Sequence, residues 1–388
     1  MNGLRSAASI AITVFLTVLI ATATYGAARA QQHPLAAVQS GGPTPSPSSP
    51  LKPIPSSAPS PVAPAAAGLY TYDVDMIDAS TGWMLVSNCP LHNAPTCRHA
   101  VVATADGGQT WSKPVQVGPP FASGDGGAPR TIRFLNRLDG FVYGGSGAFV
   151  SHDAGGTWLP TSLPAVFISS ISMSAGVVWA VTYPCLKGTL CEYEVRSSRD
   201  AGRTWSPVHK LPLNFSPVDA VAFPSGLVLA SVPPGKIEIT SNNGGTWRDM
   251  SSPCNESHFG SFVSTSDGTD LWQVCMDYPA PSGVLGTGSL FVSSNGGASW
   301  VERSIQRRLF RWLATPFPGI AYAWSESTMI VTHDGGATWT AVQPVQLESL
   351  HFRDLGWGWG LDPSRTLWVT ADGGARWISV GPVPDRLD

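Results

Sequence analysis

Apolar residues fall in short runs along this chain, and Gly, Pro, Asn, Asp and Ser gather between the runs. That spacing predicts many short β-strands joined by tight turns rather than amphipathic helices. One turn recurs seven times, in the pattern Ser/Thr-x-Asp/Asn-x-Gly-x-Thr/Ser-Trp. Its copies are Thr104–Trp111, Ser151–Trp158, Ser198–Trp205, Thr240–Trp247, Ser293–Trp300, Thr332–Trp339 and Thr370–Trp377. Successive tryptophans lie 47, 47, 42, 53, 39 and 38 residues apart, a period of about 44 that marks a repeat architecture.

Each part of the pattern has a mechanical use. Asp106, Asp153, Asp200, Asn242, Asn295, Asp334 and Asp372 can accept hydrogen bonds from backbone N–H groups further along the turn. The Gly supplies a backbone conformation that other residues resist. Trp111, Trp158, Trp205, Trp247, Trp300, Trp339 and Trp377 carry a large apolar surface into the next strand. The turn is thus a structural staple, not a catalytic motif. Upstream, a strand often opens with a small or apolar residue followed by an aromatic one: Gly82-Trp83, Gly140-Phe141, Val178-Trp179, Leu271-Trp272, Ala323-Trp324 and Gly356-Trp357. Three strands, a staple and a fourth strand make one propeller blade. The expected fold is all-β, a single seven-bladed β-propeller of four-stranded antiparallel blades over residues 68–388.

The first 67 residues read differently. Arg5 precedes an apolar core from Ile10 to Ala21, and Ala28-Arg29-Ala30 follows it. These are the parts of a secretory signal peptide, with an uncleaved membrane anchor as the rival reading of residues 1–30. Residues 32–67 hold ten prolines, and Lys52 is their one charge. The Pro/Ser/Ala-rich linker over 31–67 is therefore expected to be an extended, disordered stalk. Either reading of the leader exports the propeller, which is then secreted or tethered outside the cytoplasmic membrane.

Composition narrows the classes further. Charged residues are 13% of the chain, about half the usual ~25%, as expected for strands buried on both faces. Without Arg5, Arg29 and Lys52 the body has 20 basic and 26 acidic residues, net −6, which argues against nucleic-acid binding. The six cysteines fall into the local pairs Cys89/Cys97, Cys185/Cys191 and Cys254/Cys275. Six cysteines permit 15 pairings; local disulfides are the economical choice in an exported chain. Zinc fits poorly, since no C-x2-C occurs and no His stands at ligand spacing. No metal and no cofactor are expected.

The seven staples resemble the Asp-box repeats of bacterial neuraminidases. With the Gly-aromatic second strands they are most similar to the photosystem II stability and assembly factor family. That resemblance covers roughly 70–383 and implies a single seven-bladed ring acting as a non-enzymatic assembly partner. Asp boxes also occur in sialidases, xyloglucan-type glycosidases and sortilin-type receptors. The seventh copy departs from the pattern at Arg376, where Thr or Ser is expected.

Blade topology places the staples on one face and the second-to-third turns, blade connections and all three cysteine pairs on the other. Binding residues concentrate on such fixed loops. Arg303, Arg307, Arg308 and Arg311, interleaved with Phe310 and Trp312, form the densest basic run, with Arg353 and Arg130 as weaker additions. Arginines so grouped suit carboxylates, phosphates or an acidic peptide. The expected function is an exported scaffold or assembly module that binds a protein or extracellular polymer. It is expected to be a monomer that meets a membrane only through its N-terminal segment. The alternative is an exo-sialidase-like glycoside hydrolase with an atypical site. Against it, the Arg-Ile-Pro motif of sialidases is missing, and Glu192-Tyr193-Glu194 alternates across a strand. No catalytic residue is assigned.

Overall fold

The computed structural model describes residues 69–381 and Leu387, apart from 90–95, 123–127, 145–146, 164–166, 184–191, 213–215, 233–235, 255–257, 278–287, 309, 326–327 and 343–344. The leader, the Pro-rich segment, Cys185, Cys191 and the Gly-rich stretch at 123–127 lie outside the described residues.

Seven four-stranded antiparallel sheets form, each from its own stretch of chain; Thr96–Cys97, between the second and third strands of the first, instead joins Phe121–Ala122 in a small two-stranded sheet. Blade one comprises Tyr70–Met76, Gly82–Ser87, His99–Thr104 and Val115–Gln116; blade seven comprises His351–Phe352, Gly358–Leu361, Leu367–Thr370 and Ile378–Ser379. First strands of neighbouring blades lie against each other, so they line the centre of the ring. Second strands are enclosed on both faces; every residue of Gly82–Ser87 is buried. Blades pack face to face, so an inner strand has an apolar neighbour on either side.

The hydrophobic core is divided into seven clusters, one for each blade junction. Trp83, Phe134 and Trp158 fill the first junction, Phe141 and Trp205 the second, and Trp179 and Trp247 the third. Phe223 and Trp300, Trp272 and Trp339, and Tyr322 and Trp377 fill the next three. Met84, Trp359 and Trp111 fill the seventh, between blades seven and one, which closes the ring. Each staple tryptophan thus packs backward onto the preceding blade. It meets an aromatic ring there edge to face in several junctions, as Trp247 meets Trp179 at 6.4 Å and 90° and Trp339 meets Trp272 at 6.3 Å and 88°. Such pairs add about 0.5–1.5 kcal/mol beyond their buried area.

Strand register corrects two of the expected second-strand openings. The residue opposite the first staple residue is Gly82 in blade one and Gly140 in blade two. In blade six it is Ala321, opposite Thr332, and in blade seven Gly358, opposite Thr370. The pairs are therefore Ala321-Tyr322 and Gly358-Trp359, not Ala323-Trp324 and Gly356-Trp357. Both errors are slips of two residues. A slip of two keeps every side chain on the same face, so alternation alone cannot detect it.

Hydrogen bonds explain the staple. In blade one the Thr104 hydroxyl donates to Asp106 Oδ1 (2.8 Å) and accepts from the Gly108 N–H (2.8 Å). Asp106 also accepts the Thr110 N–H (2.9 Å) and the Thr110 hydroxyl (2.6 Å). These bonds, led by the Thr110 hydroxyl, hold the Asp106 carboxyl down at about 2. Asn242 and Asn295 reverse one bond, donating Nδ2–H to Thr246 and Ser299. The seventh copy keeps only the backbone half, Arg376 N–H to Asp372. The fourth and fifth residues of every copy have positive φ, as in Ala154 (62°) and Gly155 (85°).

Candidate functional site

Strand direction sorts the molecule into a staple face and an opposite loop face. Two disulfides form at the loop-face ends of strands, Cys89–Cys97 in blade one and Cys254–Cys275 in blade five. The first holds the segment leading into the third strand of blade one. Thr96–Cys97 pairs there with Phe121–Ala122 in the two-stranded sheet, and the Arg98 N–H donates to Asn88 Oδ1.

This small sheet covers a cluster that sequence reading missed. Tyr70 and Tyr72, at the start of the first strand, meet edge to face at 5.1 Å. Tyr72 lies 5.2 Å from the His99 ring, and Phe121 closes on His99 from the other side at 5.4 Å. Burial, with the nearby Arg130 charge, lowers His99 to about 4, so its ring is neutral at pH 7. Burial also raises Tyr72, keeping its hydroxyl protonated, against the opposing pull of Arg130 and Arg365. The Arg365 guanidinium sits 5.4 Å over the Tyr70 ring and pairs with Glu348 at 3.0 Å. Tyr-x-Tyr at the mouth of the first strand was the available sequence signal.

The sequence-derived arginines do not form one group. Arg303 begins the fourth strand of blade five, beside the staple, and packs against Gly336 of the next blade. Backbone register carries Arg307, Arg308 and Arg311 to the loop-face ends of their strands, with Arg308 opposite Gly288. Arg353 lies in a first-to-second turn on the staple face, its N–H donating to the Trp357 carbonyl. The run therefore divides between the two faces.

Candidate acids are engaged structurally. Asp73 and Asp75 lie buried on the first strand of blade one and accept the Ile132 and Phe134 N–H groups of blade two. Arg133 also pairs with Asp73. Burial pushes Asp73 up to about 6. Ser172 ties blades three and four likewise, accepting the Ala222 N–H at 2.8 Å. Glu194 pairs with Arg196, and the Tyr193 ring lies tilted against Tyr183 at 4.8 Å, so Glu192-Tyr193-Glu194 forms no joint site. His152, in the second staple, is half-buried and bonded to Asp139 at 2.7 Å, whereas His333, in the sixth, is exposed. Among the described residues no group of three or more His, Cys, Asp or Glu is placed to hold a metal ion, and no helix is long and apolar enough to cross a membrane.

No family model matches the sequence, and no curated protein does. Solved structures share its fold. YCF48 bound to a D1 peptide is 16% identical, with a TM-score of 0.52 over 81% of this chain and 94% of that one. YCF48 from Cyanidioschyzon merolae is 15% identical, with a TM-score of 0.53 over 80% and 95%. The β-propeller domain of the Trilobed protease from Pyrococcus furiosus, described as having an open velcro topology, is 10% identical, with a TM-score of 0.57 over 82% and 97%. An ancestral GH74 enzyme is 11% identical, with a TM-score of 0.54 over 80% of this chain but 45% of that one. At these identities the likeness is one of architecture: the chain is a seven-bladed β-propeller similar in fold to YCF48.

Proposed function

We propose that this chain is an exported, non-catalytic propeller that binds a polypeptide or other extracellular polymer through its loop face. The observation that carries the reading is the contrast between the two faces. On the staple face the Ser/Thr and Asp/Asn side chains of the turns are engaged in one repeated set of internal bonds. On the loop face, the Cys89–Cys97 disulfide holds the chain beside an aromatic and cationic cluster in which both His99 ring nitrogens are unpartnered. Fixed loops on a rigid ring are the usual place for recognition. Disulfides also suit an exported protein, and the 31–67 segment would hold the ring away from the membrane or wall. That YCF48 has been seen with a D1 peptide is consistent with peptide binding by such a ring.

A photocrosslinking residue at exposed Arg98 on the loop face, compared with one at exposed Leu138 on the staple face, tests this. A single reproducible adduct from Arg98 in the native envelope, absent from Leu138, is the expected result. Adducts from Leu138 alone, or equally from both, would refute the face assignment. Sustained turnover of a fluorogenic sialoside or xyloglucan, lost on replacing loop-face carboxylates, would refute the absence of catalysis.

A further inference from the structure

Blades seven, one and two bring a set of hydrogen-bond donors together at their loop-face ends. Arg130, half-buried where the chain enters blade two, makes no ion pair or side-chain hydrogen bond among the described residues. Ile132 and Phe134 bond Asp73 and Asp75 in step, so the two strands run in parallel and Arg130 stands level with Thr71, between Tyr70 and Tyr72. His99 is 1% exposed, and neither ring nitrogen has a hydrogen-bond partner. Buried polar groups are rarely left so, and each instance calls for an explanation. Tyr70 and Tyr72 add aromatic walls, and their hydroxyls can donate.

The charge count specifies the ligand more closely. Arg365 is already matched by Glu348, which leaves the Arg130 guanidinium uncompensated among the described residues. One free guanidinium balances one negative charge, and its planar fork matches the two oxygens of a carboxylate. A phosphate near neutral pH carries up to two charges and is left partly unmatched. The rings around Arg130 favour an apolar or aromatic carrier over a bare ion. We infer that Arg130, flanked by Tyr70, Tyr72 and His99, is a receptor for a carboxylate borne on an apolar or aromatic group. This subsite gives chemistry to the loop face and rests on the binding reading above.

Calorimetric titration of the intact chain with benzoate tests it, with benzamide and inorganic phosphate as comparison ligands. Benzoate should bind at one site, more tightly than phosphate, and benzamide should not bind. Arg130→Gln should weaken benzoate at least tenfold, and Arg130→Lys, which keeps the charge but not the fork, by less. Arg137→Gln, in an exposed pair with Asp78 on the staple face, should leave binding unchanged. His99→Phe, which keeps a ring against Tyr72 and Phe121 but removes both nitrogens, should weaken benzoate, and unaltered affinity would remove His99 from the receptor. Absence of benzoate binding overturns the inference, as does equal binding of benzamide, tighter binding of phosphate, or affinity unaltered by Arg130→Gln. Should the unsubstituted chain give the Arg98 adduct but bind no benzoate, the subsite is wrong and the loop-face reading stands.

Discussion

Trp83 donates its indole N–H to the carbonyl of Ala154, 2.8 Å away in the staple of the next blade. The bond joins a buried inner strand to a turn 71 residues later. Tyr322 repeats it with its hydroxyl, bonding the Gly373 carbonyl at 2.9 Å. The staple therefore closes its own hairpin and also receives the neighbouring blade.

Removing this contact should be costly. Trp83→Phe keeps a ring on Phe134, with which Trp83 stacks at 3.5 Å, but loses the donor. It should destabilise by about 1 kcal/mol. Trp83→Ala also empties the junction and should cost about 3–5 kcal/mol. Denaturant unfolding measures both, and equal losses would show that the hydrogen bond contributes nothing.

The two left-handed positions should respond differently. Gly155 needs φ near 85°, and an added Cβ would stand 3.3 Å from Trp83. Gly155→Ala should lose about 1–3 kcal/mol. Ala154 has φ 62° with a methyl already present. Ala154→Gly relieves about 1 kcal/mol of left-handed strain but adds about 0.5–1 kcal/mol of chain entropy, so its effect should be small. The contrast explains why Gly occupies the fifth position of every copy while Ala, Asn or Gly occupies the fourth.

The seventh staple can be completed. Arg376→Thr would place a hydroxyl where Thr110 meets the Asp106 carboxylate at 2.6 Å. At this exposed turn it should stabilise by about 0.5–1 kcal/mol. A lowered unfolding midpoint would show that Arg376 does more than occupy the turn.

Acid should act on two buried groups in opposite senses. Burial lowers His99 from 6.5 to about 4, so the fold prefers the neutral ring and loses stability as pH falls from 6.5 towards 4. Burial raises Asp73 from 3.8 to about 6, so its contribution is present below 3.8 and is lost as pH rises through 6. His99→Gln removes the first effect alone. Its unfolding midpoint should fall less between pH 7 and pH 5 than that of the unsubstituted chain. An unchanged difference would clear His99 of any role in acid sensitivity.

Disulfide removal should follow loop length. Cys254 and Cys275 are 21 residues apart and Cys89 and Cys97 are 8 apart. Chain-entropy arguments give about 3.3 and 2.5 kcal/mol respectively. Paired Cys→Ser variants unfolded in denaturant would test that order. A larger loss from the shorter bridge would mean that it also supports the packing around His99.

The repeat was legible because seven copies share a turn, and each copy's bonds are local in sequence. Blade count, ring architecture and the face of the Cys89–Cys97 and Cys254–Cys275 bridges followed from it. Ala323-Trp324 and Gly356-Trp357 were misplaced because each stands two residues from the true opening, on the same face of its strand. His99, Asp73 and Arg133 were not legible at all. His99 is enclosed by Tyr72 and by Phe121 beyond the end of its own blade, and nothing within the Thr71–Met76 stretch reveals that Asp73 and Asp75 face Arg133 and backbone N–H groups of the next blade. The arginine run misled for a related reason: closeness in sequence along a strand carries residues to opposite ends of a blade.

Every blade is built from its own stretch of chain, so among the described residues no strand is shared between the first and last blades. The seventh junction is closed by side chains, as the other six are. The number of blades is then not set by a shared strand. It depends on the wedge angle, and so on how much volume the aromatic residues occupy at each junction. A sequence that gained or lost one 44-residue unit would break no sheet; it would only have to reach a new angle, with different side-chain sizes at its seams.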